Sequence, residues 1–142
     1  MVRGIAAGVA VFGVVAMGTV AYAQAKPAQG AKPAANAKTL KNPVAADAAS
    51  IAAGQALYAK YCRACHGATG LGDGPGAAAL KDVKPANLAD ATWDHGSSDG
   101  EIFTVIQKGI PPRLAMNAFE GRLNDTQIWN IVNYVKSLSA KK

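Results

Sequence analysis

Cys62, Arg63, Ala64, Cys65 and His66 form a Cys-x-x-Cys-His run, and no other cysteine occurs in the 142 residues. Two thiols three positions apart can each form a thioether with one of the two vinyl groups of a haem, and an imidazole that follows directly can turn onto the iron from below. A chain that carries so large a flat group covalently must fold around it, so this run constrains the fold more than any other feature. Two other chemistries use the same residues. A redox disulfide of the thioredoxin kind needs a βαβ setting with strands, whereas the flanking sequence reads as helical on both sides. A structural zinc site needs four ligands, which Cys62, Cys65, His66 and His95 supply on paper. His66 adjoins Cys65, which makes it hard for both to close on one small tetrahedral ion, and His95 has no second histidine at ligand spacing. One covalent haem c is therefore the expected cofactor, with Cys62 and Cys65 holding it and His66 ligating the iron.

The composition divides the chain into three stretches. Arg3 is the only charge in the first 25 residues, and Gly4 to Ala23 are twenty uncharged residues ending in Ala21-Tyr22-Ala23. Residues 1–23 thus read as a secretory signal peptide with a small-residue cleavage site. Twenty residues also just span a bilayer, so an uncleaved anchor is the alternative; the Gly- and Ala-rich make-up and the fitting cleavage site favour removal. Either way the remainder is exported, and the expected location is the periplasm, where the two thiols must be kept reduced until haem arrives. Residues 24–47 are rich in Ala, Lys and Pro and almost free of large apolar side chains. Such a stretch cannot offset its own ordering entropy and is expected to be an extended, disordered arm. Residues 48–142 remain as one small domain whose core the haem must help to fill.

The charge balance excludes one class of partner. The whole chain carries +6, but from Ala48 onward there are ten basic and eight acidic residues. No basic stripe interleaves with aromatics, and an exported protein meets no nucleic acid, so nucleic-acid binding is not expected. The near-neutral domain also gives no compositional case for a strongly basic docking face.

Three main helices are expected. Ser50 reads as the cap of the first, with Ile51, Gly54, Leu57, Tyr58 and Tyr61 at helical spacing up to Cys62. Gly54 costs about 1 kcal/mol relative to alanine inside a helix, which implies close approach of another helix. The second begins at Ser98, where Glu101 completes a capping box, and stops at Gly109. The third is capped by Asn124 with Gln127 and presents Ile128, Ile131, Val132, Val135 and Leu138 on one face, flanked by Trp129 and Tyr134. No convincing strand is present. The long glycine-rich passage from Gly67 to Gly96 is unusual for a compact domain unless it wraps something. It is no phosphate cradle, since no strand precedes it and no Gly-Lys-Ser/Thr follows.

From about Ala48 to Ala140 the chain resembles a class I c-type cytochrome, the monohaem cytochrome c domain of the bacterial periplasmic type. The pieces that carry the resemblance are Tyr61-Cys62-Arg63-Ala64-Cys65-His66-Gly67, Gly70-Leu71-Gly72-Asp73-Gly74-Pro75, Lys84-Pro85-Ala86-Asn87-Leu88, Asp99-Gly100-Glu101-Ile102, Met116-Asn117-Ala118-Phe119 and Leu123-Asn124-Asp125-Thr126-Gln127-Ile128-Trp129. It implies an all-α, small cytochrome c fold, three main helices plus loops wrapped around one covalently bound haem. It implies His66 as proximal ligand and a methionine sulfur on the other face; Met116 is the sole methionine beyond the N-terminal segment, so exclusion reaches the same residue. His95 is the rival distal ligand. The resemblance further implies that the Pro85 carbonyl accepts the His66 Nδ1 proton, that Gly54 and Tyr58 pack across Ile131 and Tyr134, and that Trp93 and Arg113 contact the haem rim or its propionates. One departure is Asn117, where the family commonly has proline after the ligand methionine.

The implied function is one-electron transfer, without enzymatic activity, between redox proteins acting as donor and acceptor. A periplasmic carrier is the main expectation; the alternative is a membrane-tethered or tightly bound cytochrome subunit of a dehydrogenase or oxidase complex. Membrane contact is expected only if the N-terminal segment is retained. Catalysis or gas binding at an open iron would require Met116 to be off the metal.

Overall fold

The computed structural model describes residues 36–80, 83–90, 92–111 and 116–139. The expected signal peptide, the first half of the arm and Arg113 lie outside the described residues. Among the described residues four helices follow one another: α1 (Ala48–Tyr61), the single turn α2 (Arg63–His66), α3 (Asp99–Lys108) and α4 (Asp125–Ser139), with short 3-10 turns at Ala37–Thr39 and Pro75–Ala79. Among the described residues the only β features are isolated bridges, Ile110 with Met116 and Glu120 with Leu123. The expected all-α architecture, with three main helices and long loops, is the one observed.

The helix starts follow local side-chain chemistry. At α3, the Ser98 hydroxyl accepts from the Glu101 amide and the Glu101 carboxylate accepts from the Ser98 amide, a complete capping box. At α4, Asn124 Oδ1 accepts from the Gln127 amide at 2.9 Å and Gln127 Oε1 from the Asn124 amide at 3.0 Å. At α1 the expectation needs correction. Asp47, not Ser50, is the cap, its carboxylate accepting from the Ser50 amide at 2.8 Å. A carboxylate there both satisfies an orphan N–H and complements the positive end of the helix, which releases the Ser50 hydroxyl for another task. That hydroxyl donates to Asn130 Oδ1 at 2.7 Å and accepts from Asn133 Nδ2 at 2.8 Å on α4.

The frame of the domain is the crossing of α1 and α4. A Cβ on Gly54 would collide with the carbonyl oxygen of Asn130 and come within 2.9 Å of the Tyr134 Cβ, so only glycine lets the two backbones meet. One turn on, the rings of Tyr58 and Tyr134 pack with centroids 5.1 Å apart. Ile128, Ile131, Val132 and Val135 of the expected α4 face are buried, but so are Trp129, Asn133 and Tyr134. The buried arc is wider than one stripe because α4 is covered from two sides, by α1 and by α3, where Phe103 stacks on Trp129 at 4.1 Å.

The expectation of a disordered arm up to residue 47 is corrected for its second half. Ala37 is buried at 1% exposure, and the Ala37 carbonyl and Leu40 sit against Gly100 on α3. Asn42 Nδ2 donates to Asn133 Oδ1 at 2.7 Å, and Asn133 Nδ2 is shared among the carbonyls of Val44 and Ala45 and the Ser50 hydroxyl. Residues 36–47 therefore form a strap fastened to α3 and α4. Composition fails to reveal it because polar side chains and backbone carbonyls do the fastening, with one small apolar residue buried.

Candidate functional site

The C-terminal end of α1 runs straight into the Cys-x-x-Cys-His turn. The Cys62 amide donates to the Tyr58 carbonyl at 2.9 Å, and the Cys65 and His66 amides both donate to the Cys62 carbonyl, at 3.1 and 3.0 Å. One helical turn thus sets the two thiols on adjacent levels with the imidazole following. The glycine-rich loop then folds back onto this turn: the Gly72 amide donates to the His66 carbonyl at 2.9 Å and the Gly74 amide to that of Cys65 at 3.1 Å. Gly72 has φ +76°, and a Cβ there would strike the Pro85 carbonyl oxygen. Both facts restrict the position to glycine.

A cavity of about 290 Å³ lies between this turn, the inner faces of α1, α3 and α4, and the 83–96 loop. Its walls are apolar, with Ile102, Val105, Ile106, Ile131 and Val135 prominent, and Cys62, His66 and Met116 all line it. Residues 54 and 50 positions apart in sequence from Met116, the thiol and the imidazole, are thereby brought to one space with it. Met116 is placed by backbone bonds at the C-terminal end of α3: the Ile110 amide donates to the Met116 carbonyl at 3.0 Å, and the Phe119 amide to the Ile106 carbonyl at 3.1 Å. Asn117, in place of the family's proline, is exposed, so these bonds pin the ends of the segment independently of it. Trp93 and His95 also line the cavity. Cys65 is half-buried, is not a lining residue, and stands beside Gly76, where a Cβ would lie 3.4 Å from its sulfur.

The acceptor expected for the His66 ring needs correction. Nδ1 of His66 lies 3.1 Å from the carbonyl oxygen of Ala86, one residue beyond Pro85. The Pro85 carbonyl is turned toward Gly72 instead. Proline fixes its own φ but not the direction of its carbonyl, and the tight approach of the Gly72 loop decides that direction. The effect is of the kind expected, a main-chain oxygen placed to take the Nδ1 proton and leave Nε2 of the ring unprotonated.

The site's electrostatics suit neutral ligands. Burial lowers the pKa of His66 from its usual value, opposed by the Ala86 hydrogen bond, so the imidazole is held uncharged. Burial, with Cys65 nearby, pushes the Cys62 thiol up to about 12. A reactive or metal-binding thiolate needs the opposite shift, whereas a sulfur in a thioether needs none. Tyr58 is buried, its pKa is raised chiefly by desolvation, and its hydroxyl donates to the Gly67 carbonyl at 2.8 Å, steadying the residue after His66. Among the described residues no group of three His, Cys, Asp or Glu side chains converges on a metal-sized site. An apolar slot with a neutral imidazole, a thioether and a protonated thiol on its walls fits a haem.

The family model described as "Cytochrome C oxidase, cbb3-type, subunit III" matches residues 49–135. The chain belongs to this family. Among curated cbb3-type relatives, the chain is 35% identical over 91 residues to "Cbb3-type cytochrome c oxidase subunit FixP" of Bradyrhizobium sp. (strain ORS 278), covering 64% of this chain and 28% of that protein. It is 33% identical over 98 residues to "Cbb3-type cytochrome c oxidase subunit CcoP" of Rhodobacter capsulatus, covering 66% of this chain and 31% of that protein. The chain thus spans about a third or less of the length of the curated relatives it matches. Among solved structures it is similar to a chain of the "Kuenenia stuttgartiensis reducing HAO-like protein complex Kustc0457/Kustc0458", with 30% identity, a TM-score of 0.61, and coverage of 68% of this chain and 46% of that one. The fold is shared with cytochrome cL of Methylophaga aminisulfidivorans at a TM-score of 0.52 and 24% identity, over 64% of this chain and 56% of that one. This cbb3-type cytochrome domain is an all-α electron-transport module with a single, covalently attached haem c.

The 83–96 loop is where sequence reasoning saw least. Lys84, Ala86, Thr92 and Asp94 line the cavity, yet no periodicity marks them as inward, and the motif piece holding Lys84 and Ala86 pointed only to the Pro85 carbonyl. The signal available was the length of the loop, which implied wrapping without saying which side chains would face in.

Proposed function

We propose that this domain is the electron-transferring cytochrome of a membrane oxidase complex, tethered to it or tightly bound, and is not itself the enzyme. The observation that carries the reading is the convergence of Cys62, His66 and Met116 on one apolar cavity. On this reading Cys62 and Cys65 hold the haem by thioethers, and His66 and Met116 are its axial ligands. When bound, the haem supplies a one-electron ferric/ferrous couple. The Ala86 carbonyl orients the His66 ring, the Tyr58 hydroxyl holds the turn that follows it, and the aliphatic walls from α3 and α4 keep water away. Pairing a thioether with an imidazole raises the reduction potential relative to two imidazoles and leaves no exchangeable site for a substrate.

The oxidase setting draws its support from the relatives, since the FixP and CcoP proteins are named as subunits of cbb3-type oxidases. A freely diffusing periplasmic carrier, the first expectation from the sequence, has less behind it. Redox proteins remain the partners on either reading, and the domain works on the exported side of the membrane. Two measurements test the proposal. Salt-washed membranes should retain the haem protein together with oxidase activity, and the reduced protein should bind carbon monoxide slowly or not at all. Full release into the soluble fraction would return the free carrier, and rapid carbon monoxide binding would overturn Met116 as ligand.

A further inference from the structure

The cavity that would receive the haem is apolar in depth and polar only where the 83–96 loop crosses it. Lys84, Thr92, Asp94 and His95 line the cavity and are solvent-exposed, whereas Tyr58, Ile102, Ile106, Ile131 and Val135 line it and are buried. A side chain that is both lining and exposed stands at the mouth. A haem has one polar edge, bearing two carboxylates, and an unpaired carboxylate is costly to bury. Turned to the mouth, that edge avoids this cost and meets the groups of this loop.

Of those groups, Lys84 and His95 offer nitrogen atoms for hydrogen bonding to a carboxylate, and Asp94 repels one. Among the described residues the ion pairs are Lys108 with Glu120 and Lys136 with Asp99, and neither Lys84 nor His95 forms a side-chain hydrogen bond to a described residue. Both lie close in sequence to fastened backbone. Lys84 is two residues before Ala86, which bonds His66, and the Leu88 amide donates to the Gly70 carbonyl at 2.6 Å. His95 lies three residues before the Ser98 capping box that starts α3.

We propose that Lys84 and His95 hold the two haem carboxylates across the cavity mouth, with Asp94 opposing them, so that this loop tunes the reduction potential. The inference rests on the haem-binding reading above and goes beyond it in giving these exposed residues a role. Cations and hydrogen-bond donors on the carboxylates offset their negative charge, which otherwise favours ferric over ferrous iron.

The test uses the haem-loaded protein at a fixed pH, comparing Lys84→Gln, His95→Gln and Asp94→Asn by potentiometry and by redox-difference infrared spectra of the haem carboxylates. Lys84→Gln and His95→Gln should each shift the ferrous-to-ferric ratio at a fixed applied potential about threefold toward ferric, a change in keeping with a partly exposed charged contact, and should displace the carboxylate bands. Asp94→Asn should shift the ratio the other way. Lys84→Arg should restore the wild-type potential, which a general loosening of the loop would not allow. Unchanged potentials and carboxylate bands in both Lys84→Gln and His95→Gln, with the iron–sulfur absorption intact, would overturn the proposal. Loss of that absorption in the wild-type protein would instead count against Met116 as ligand, and the infrared bands would still decide the role of Lys84 and His95.

Discussion

Met116 and Gly54 are single residues for which the structure leaves no substitute. Among the described residues Met116 is the one thioether lining the cavity, and leucine matches its volume closely enough that such swaps usually cost less than about 1.5 kcal/mol. Met116→Leu should therefore fold and keep its covalent haem, lose the iron–sulfur absorption, show a lowered potential and bind carbon monoxide when reduced. A spectrum and potential like those of the wild type would refute its role. Gly54 is confined by backbone: a Cβ there meets the Asn130 carbonyl, which cannot swing away as a side-chain end could. Gly54→Ala should destabilise the domain by about 1–3 kcal/mol through overpacking, despite alanine's better helix propensity. Thermal unfolding of the haem-loaded protein reads this directly, and an unchanged or raised midpoint would show that α1 and α4 do not cross as closely as described.

At the scale of the element, the helix ends and the α4 face respond to different conditions. The Glu101 carboxyl is held below its usual 4.5 by hydrogen bonds from the Ser98 hydroxyl and then the Ser98 amide. Because the native form binds this proton less readily than the unfolded chain, the capping box stabilises α3 above about pH 4.5 and the contribution fades as pH falls through the lower native value. The melting difference between wild type and Glu101→Gln should therefore be present at neutral pH and shrink in acid; a difference constant down to strongly acid pH would contradict the assignment. On α4, Asn133 is 5% exposed and bonds Asn42, Ser50 and the carbonyls of Val44 and Ala45. Removing it by Asn133→Ala strands the buried Ser50 hydroxyl and part-buried partners on Asn42, Val44 and Ala45, a buried one being worth about 1–3 kcal/mol when left unsatisfied. A loss of at least about 2 kcal/mol in denaturant unfolding is expected, and near-neutrality would mean that water replaces the amide without penalty.

For the whole molecule, the strap makes the domain larger than the part the family model covers, which begins at residue 49. A chain beginning at Asp47 should melt about 5 °C or more below one beginning at Asn36, the order expected when a domain of this size loses about 1 kcal/mol, and equal midpoints would show the strap to be idle. Much else was legible beforehand because it is local. Cys62, Cys65 and His66 declare their chemistry by adjacency, Ser98 with Glu101 and Asn124 with Gln127 bond within one turn, and the spacing of Ile128, Ile131, Val132 and Val135 defines a face before any partner is known. The place of Met116 on the cavity wall was legible for another reason, as the single thioether left in the domain. The rest depends on which atoms meet across long separations. Whether Asp47 or Ser50 caps α1 turned on Asn130 and Asn133, some eighty residues away, claiming the serine. Whether Pro85 or Ala86 receives the His66 proton turned on the Gly72 loop crowding one carbonyl. The sequence by itself determined the cofactor chemistry, the helices and their caps, because those interactions close within a turn or two of chain. Only the tertiary structure decided the carbonyl on His66, the docking of residues 36–47 and the side chains at the cavity mouth, because contact between distant segments follows from the packing of the whole chain.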